Sequence, residues 1–258
     1  MKIVDCFMFY NELKMLAFRL EELYDIVDYF VIVELTKTHT GKDKELYFEN
    51  NKKLFEKYMD KIIHVIEPVP NNLITGEDWI IEFYHRKCIS KGIDRLNLEN
   101  GDLLIISDAD EIINREVLKD FRKTGINQMY KPYLHIYYYN LRCKLTGGNR
   151  TKWKKTKIVD YKTYCKTYKC DCQKIRDSEY AKKIENGGWH FSFFGNVGQI
   201  QDKINNVSEH NLFNDKKSIE HINSCIENNR DILHRNNWFS DIDPEANEFL
   251  PINYKMLL

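Results

Sequence analysis

Apolar residues along the first 112 positions alternate between two periods. Residues 2–10 form a mostly apolar run, as suits a strand buried on both faces. Asn11 is a suitable helix cap. Leu13, Leu16, Ala17, Leu20, Leu23, Tyr24 and Val27 then recur at three- and four-residue spacing, which predicts one apolar helix face. Residues 29–35 (YFVIVEL) predict a second buried strand, residues 36–43 a polar loop containing Gly41, and residues 52–59 a short helix. Residues 62–66 predict a third strand, stopped by Pro68 and Pro70. Asp78 is placed to cap a helix that runs to Lys91 and ends at Gly92. Residues 102–107 (DLLIIS) predict a fourth strand, and Asp108, Ala109, Asp110 and Glu111 follow at its C-terminal end.

Helix-connected buried strands predict an α/β fold with a mainly parallel central sheet and helices on both faces. Ligands of such sheets bind beyond the carboxyl ends of the strands, so the acidic quartet lies where a site belongs. The pattern is less regular afterwards. Residues 129–143 are rich in tyrosine and predict one or two antiparallel strands; residues 142–183 are strongly basic; residues 187–195 (GGWHFSFFG) predict a short strand bounded by glycines. Helices are predicted over 197–208 and 216–229, and the last twenty residues carry no pattern. With no repeat and no linker, residues 1–258 read as a single domain.

Composition narrows the picture. Hydrophobic residues make up 43% and charged residues 30% of 258, enough for a sizeable core and incompatible with wholesale disorder. Lys plus Arg equals Asp plus Glu at 39 each, which speaks against a nucleic-acid partner. No run approaches the ~20 apolar residues of a membrane span, and the first residues lack the apolar centre of a signal peptide, so a soluble, cytoplasmic protein is expected. Seven irregularly spaced cysteines, including Cys165, Cys170 and Cys172, match no common zinc spacing and read as free thiols; the sequons at Asn149 and Asn206 read as incidental.

Asp108 and Asp110 form a D-x-D just after a buried strand. Hard oxygen ligands at that spacing suit Mn²⁺ or Mg²⁺, with a substrate diphosphate completing the shell. Three acidic residues in four also repel one another, so a cation would compensate them, and removing one is expected to relieve strain in its absence. The alternative is an acidic helix start. Glu111 is a candidate base for an acceptor hydroxyl, or a solvated helix-start residue. Glu12 follows the first strand and Glu34 ends the second, both near the expected cleft as polar ligands or as helix and loop residues, and Arg86 is placed to meet a phosphate, an acidic motif residue or solvent. In Gly187-Gly188-Trp189-His190, Trp189 offers a face for a sugar ring, and His190 is either a third metal ligand or a structural histidine. Lys152, Lys154, Lys155 and Lys157 read as phosphate-attracting or simply as solvated surface.

These residues together resemble a known family. Asp5 to Leu13 (DCFMFYNEL), Arg19-Leu20 and Tyr24 to Glu34 (YDIVDYFVIVE) are similar to the opening of glycosyltransferase family 17, the family of the bisecting β-1,4-N-acetylglucosaminyltransferases of N-glycans. Gly41-Lys42, Arg86, Ser107 to Ile112 (SDADEI), Tyr138-Tyr139-Asn140, Trp153 followed by Thr156, and Gly188 to Ser192 (GWHFS) recur in family order, out to about residue 212. The resemblance implies a GT-A-type nucleotide-sugar-binding fold, with residues 1–112 as the nucleotide-sugar half and residues 113–258 as the acceptor side. It also implies a UDP-sugar donor, N-acetylglucosamine first, a glycan or other hydroxyl acceptor, a divalent cation, and inversion at the anomeric carbon. Asp108, Asp110 and His190 are then expected at the metal, Asp110 and Glu111 in catalysis, and Glu34, Arg86, Asp108 and Trp189 at the donor. GT-A enzymes commonly supply a late histidine to the cation held by the D-x-D.

Two features depart from the family. Its animal members carry a Golgi anchor that this chain lacks, so the chain resembles the short bacterial or large-virus type. Its frequent Ser-His-Gln-Glu reads Ser208-Glu209-His210-Asn211 here, displacing the histidine and glutamate. The rival functions are an inactive carbohydrate- or nucleotide-binding protein of the same fold, and a haloacid-type phosphohydrolase, whose D-x-D would follow the first strand.

Overall fold

The computed structural model describes residues 1–77, 79–208, 210–213 and 218–258. Ten strands among the described residues join in one sheet: β1 Ile3–Met8, β2 Tyr29–Leu35, β3 Ile62–Glu67, β4 Leu103–Asp108, β5 Glu111–Ile113, β6 Tyr130–Tyr138, β7 Cys143–Gly148, β8 Lys157–Asp160, β9 Lys182–Ser192 and β10 Asn237–Asp241. The main path runs β10-β7-β6-β8-β4-β1-β2-β3, and β9 bridges β6 and β5 beside it.

The first four strands are parallel to one another, as their helical connections require. The second half corrects the expectation of a mainly parallel sheet. β8 runs antiparallel to β4, β6 antiparallel to β7 and β8, β10 antiparallel to β7, and β5 antiparallel to β9, so the sheet is mixed. Beyond Asp108 several connections are short turns, such as the one from β6 to β7, and a short turn can only join antiparallel neighbours.

Alternation along β1 divides the core. Ile3 and Phe7 point to one face with Leu16 and Leu20 of helix α1 (Leu13–Leu23), while Val4, Cys6 and Met8 point to the other. That second face is covered by α3 (Ile80–Lys87), α4 (Ile89–Ile93), α6 (Tyr161–Lys166) and α7 (Cys172–Asp177), through Cys88, Ile89, Tyr164 and Ile175 among others. A short α2 (Tyr47–Asn50) precedes a 3-10 segment, Lys52–Tyr58, where a helix was predicted. Helix α5 (Arg115–Thr124) lies on the α1 side through Leu118. Helices α8 (Val197–Asn206) and α9 (Ile219–Glu227) close a third apolar cluster with Ile136, Phe213 and Ile232.

Several local expectations change. Asn11 does not cap α1; Glu12 sits at the N-cap without a side-chain capping bond, and the Asn11 amide reaches across to Asp202 at 2.8 Å. Gly92 does not end its helix. It lies inside α4, where a Cβ would stand 2.3 Å from Val31 Cγ1, so glycine there permits close packing of α4 on β2. The expected cap Asp78, and Lys216 at the start of the helix expected over 216–229, lie outside the described residues. No helix among the described residues is long and apolar enough to cross a membrane.

Candidate functional site

The turn from Asp108 to Glu111 joins β4 to β5, and one buried arginine holds it. Arg19, on the inner face of α1, donates from Nε to Asp5 Oδ2 at 2.7 Å and from Nη2 to Ser107 Oγ at 2.6 Å. Its Nη1 donates to the carbonyls of Asp108, Ala109 and Glu111 at 2.8, 3.2 and 3.0 Å. Arg19 and Asp5 are both fully buried. The guanidinium therefore replaces the water that three turn carbonyls would otherwise need.

The side chains of the quartet diverge. Glu111 is fully buried and enclosed by donors: Arg176 Nη1 and Nη2 at 2.7 and 2.6 Å, Thr156 Oγ1 at 2.5 Å and Trp153 Nε1. Asp108 accepts from Arg86 at 3.0 Å on one oxygen and from Arg176 on the other. Asp110 accepts from Lys203 of α8 at 2.9 Å, and Lys203 also lies 3.3 Å from Glu12. Burial raises the Asp108 carboxyl, but Arg176 and Arg86 outweigh it and hold it well below the usual carboxylate range. Burial likewise raises Asp110, and Lys203 with His190 pulls it well below.

Strand pairing brings His190 to this turn from eighty residues away. β9 pairs with β5 in the register Glu111↔His190, and Phe191 N–H donates to Asp110 O at 2.9 Å. Gly188 makes the approach possible: at φ +146° a Cβ would lie 2.1 Å from Ile112 O. His190 Nε2 stands 3.5 Å from Asp110 Oδ1, its Nδ1 is buried without a hydrogen-bond partner, and its ring packs on Trp153 with centroids 4.4 Å apart.

A cavity of 590 Å³ opens beyond the carboxyl ends of β1, β2 and β4, within the range of small-ligand sites. Asp108, Asp110, His190, Arg86 and Glu12 line it, with Lys44, Lys155, Arg176 and Lys203 as further cations and Trp79, Phe83 and Trp153 as aromatic faces. Three predicted residues lie elsewhere. Glu34 accepts from the N–H groups of Phe48 and Glu49 at 3.0 and 3.1 Å and so anchors the start of α2. Trp189 is buried against Phe249, donating to its carbonyl at 3.1 Å. Glu111 sits behind the turn among its donors.

Arg176, Lys203 and Trp153 were not singled out as site residues. The motif did carry a signal, since Trp153 and Thr156 recur together in the family pattern and both end on Glu111. The basic segment is not uniformly solvated surface either. Lys157 is 1% exposed, and its ammonium donates to the carbonyls of Lys155 and Arg176 at 3.0 and 3.1 Å. Burial brings its amine down to about 8. His210 falls in a 3-10 turn, His210–Phe213, and Glu209 lies outside the described residues.

A histidine pair borders the cavity. His39 Nε2 meets His85 Nδ1 at 3.1 Å, and His85 Nε2 donates to Val33 O at 2.9 Å. Burial, then the neighbouring His39, holds His85 well below the ordinary histidine range; burial lowers His39 too, against Glu82. Both folded values lie below the unfolded one, about 6.5. Their contribution is therefore fully present above that pH and is lost as pH falls through it, because the unfolded chain takes up protons first. The melting temperature should fall between pH 7 and pH 5, with a shallower slope for His85→Gln. Equal slopes in a folded variant would remove the pair from this account.

The family model of glycosyltransferase family 17 matches residues 1–257. Among curated proteins, the beta-1,4-mannosyl-glycoprotein 4-beta-N-acetylglucosaminyltransferase of Rattus norvegicus is 32% identical over 120 residues, 45% of this chain and 22% of the rat protein. That of Homo sapiens is 34% identical over 111 residues, 41% of this chain and 21% of the human protein. The similarity thus spans about a fifth of the length of these relatives.

Proposed function

Because the chain belongs to glycosyltransferase family 17, we propose that it transfers a sugar, N-acetylglucosamine first, from a UDP-sugar to a hydroxyl of a glycan or related acceptor, with inversion and with a divalent cation. The observation that carries this reading is the convergence of Asp108, Asp110 and His190 on one cavity beyond the parallel strands. The residues fit a cation. Asp110 and His190 are adjacent, Asp110 is ionised, and the buried His190 Nδ1 has no partner within the protein. Asp110 and His190 would hold Mn²⁺ or Mg²⁺ directly, and Asp108, fixed by Arg86 and Arg176, would orient the donor. A bound cation there neutralises the diphosphate leaving group.

The remaining work falls to the chain itself. Lys203 holds Asp110 in place and retains Glu12 as a partner when Asp110 turns to another ligand. Arg86, Lys44 and Lys155 give the cavity the positive lining that a diphosphate needs, and the exposed Trp79 and Phe83 in its lining offer faces that suit a sugar ring. Glu111 acts as a positioning residue: it fixes Arg176 and Trp153, and both its oxygens are taken. The base is better placed among the carboxylates that line the cavity, such as Glu12, which lies 3.3 Å from Lys203 and is outside the set assigned to the cation.

The test is a thermal-shift series with UDP-, GDP- and CMP-sugars, with and without Mn²⁺. A UDP-sugar at a hundred times its dissociation constant stabilises by about 2.7 kcal/mol, or roughly 5–10 °C for a chain of this size. The shift should be larger with the metal, and incubation with an acceptor glycan should release UDP. Stabilisation by GDP- or CMP-sugars alone would overturn the donor assignment.

A further inference from the structure

We propose that His221, Cys225 and His234 form a second metal site, for a borderline-soft divalent cation with zinc foremost, which fastens α9 to one wall of the cavity. The proposal stands independently of the transferase reading. His221 and Cys225 lie one turn apart on α9, hence on the same face. The chain then reverses: the His234 N–H donates to Asp231 O at 2.8 Å, and His234 takes a left-handed backbone at φ +54°, which returns its ring to the helix. The rings of His221 and His234 lie 5.0 Å apart at 22°, and one ligand atom from each of the three residues falls within 4.8 Å of the others.

The His221–Cys225 spacing suits tetrahedral coordination, and the exposed His234 ring has to close in from within 4.8 Å. Zn–S of about 2.3 Å and Zn–N of about 2.0 Å at the tetrahedral angle give an S···N edge of roughly 3.5 Å. Cys225 Sγ stands 3.5 Å from His221 Nε2. The same nitrogen meets Ile232 O at 3.0 Å, a hydrogen bond that the cation would replace, and a water would take the fourth position. A thiol–imidazole hydrogen bond alone would account for Cys225 and His221, but it does not require the second imidazole stacked alongside.

Burial and charge agree. Cys225 is 2% exposed while His234 is exposed, which leaves the cation a route in from solvent. Binding replaces the thiol proton, released to solvent, by the cation, and both imidazoles bind neutral. The buried Asp231 beside them already accepts from Leu233 N–H at 2.8 Å and Arg235 Nε at 2.9 Å, which sets the loop's shape. Thiolate and imidazole select zinc over the hard cations suited to Asp108 and Asp110. The loop so fastened presents Leu233, Arg235 and Asn237 to the cavity.

Chelator-treated full-length chain, kept reduced without thiols, would be titrated with Co²⁺. A thiolate-to-cobalt charge-transfer band should saturate at one equivalent and be bleached by Zn²⁺, and Zn²⁺ should raise the melting temperature. The Asp108–Asp110 site has no sulfur and cannot give this band. Cys225→Ser should abolish it, and His234→Ala, at an exposed position, should weaken zinc binding at least tenfold; the latter decides alone if the former fails to fold. Absence of the band in the native chain, its persistence in Cys225→Ser, or unchanged zinc affinity in His234→Ala would overturn the site.

Discussion

Replacing Arg19 by methionine should destabilise the chain by about 3–5 kcal/mol and abolish transfer, the largest effect expected outside the apolar core. Asp5 would be left fully buried and without its partner, and three carbonyls of the Asp108–Glu111 turn would lose their shared donor. At about 2–4 °C per kcal/mol for a chain of this size, the melting temperature should drop by roughly 6–20 °C. Arg19→Lys should rescue little, because one ammonium cannot reproduce the fork that reaches Asp5, Ser107 and the turn together. The double variant Asp5→Leu/Arg19→Met should recover part of the loss, since the unpaired buried carboxyl goes with it, but the turn stays unheld and activity should not return. Thermal denaturation of the three variants checks this. A folded Arg19→Met within 1 kcal/mol of the native chain would show that the turn is held by other means.

How far the sequence reveals this arrangement depends on the range of the forces involved. The second strand was legible to the residue, Tyr29–Leu35, because a continuous apolar run bounded by polar turns is a local property. The carboxylates after β4 were legible for the same reason, with strand and motif adjacent in the chain. The mixed second half was not. β9 reads locally as a short glycine-bounded strand, yet it runs from Lys182 to Ser192, because pairing with β6 and β5 extends it through polar positions. Glu111 and Trp189 looked available because nothing nearby in the sequence occupies them. Their partners, Arg176, Trp153 and Thr156 for one and Phe249 for the other, lie 42 to 65 residues away. Lys157 and Arg176 were hidden in a basic segment that composition reads as surface; only long-range pairing explains their burial. His190 was reachable through the motif, although its distance to Asp110 is set by a register that no local spacing encodes.

Asp110→Ala should abolish transfer in a chain that still folds. Loss of one strong contact to the leaving-group cation should cost at least about 3 kcal/mol of transition-state stabilisation, roughly a hundredfold or more in rate. Its effect on stability differs from what the crowded quartet suggests. Repulsion between neighbouring carboxylates predicts a more stable variant without metal, but the structure pairs every carboxylate with a cation: Asp108 with Arg86 and Arg176, Glu111 with the same Arg176, and Asp110 with Lys203. Asp110→Ala therefore removes an attraction and leaves Lys203 to Glu12, so the melting temperature should fall slightly rather than rise. The pH dependence follows with its sign. The folded Asp110 value lies below the unfolded one, so the stabilisation is present above about pH 4 and disappears on further acidification, a loss the variant should not show in full. The pairing with His190 adds a stricter requirement. If both residues hold one cation, His190→Ala should resemble Asp110→Ala, and the double variant should lose little beyond either single one, because the second substitution removes a ligand from a site already empty. Near-native turnover in folded Asp110→Ala, or losses that multiply in the double variant, would separate the two residues and sink the shared site.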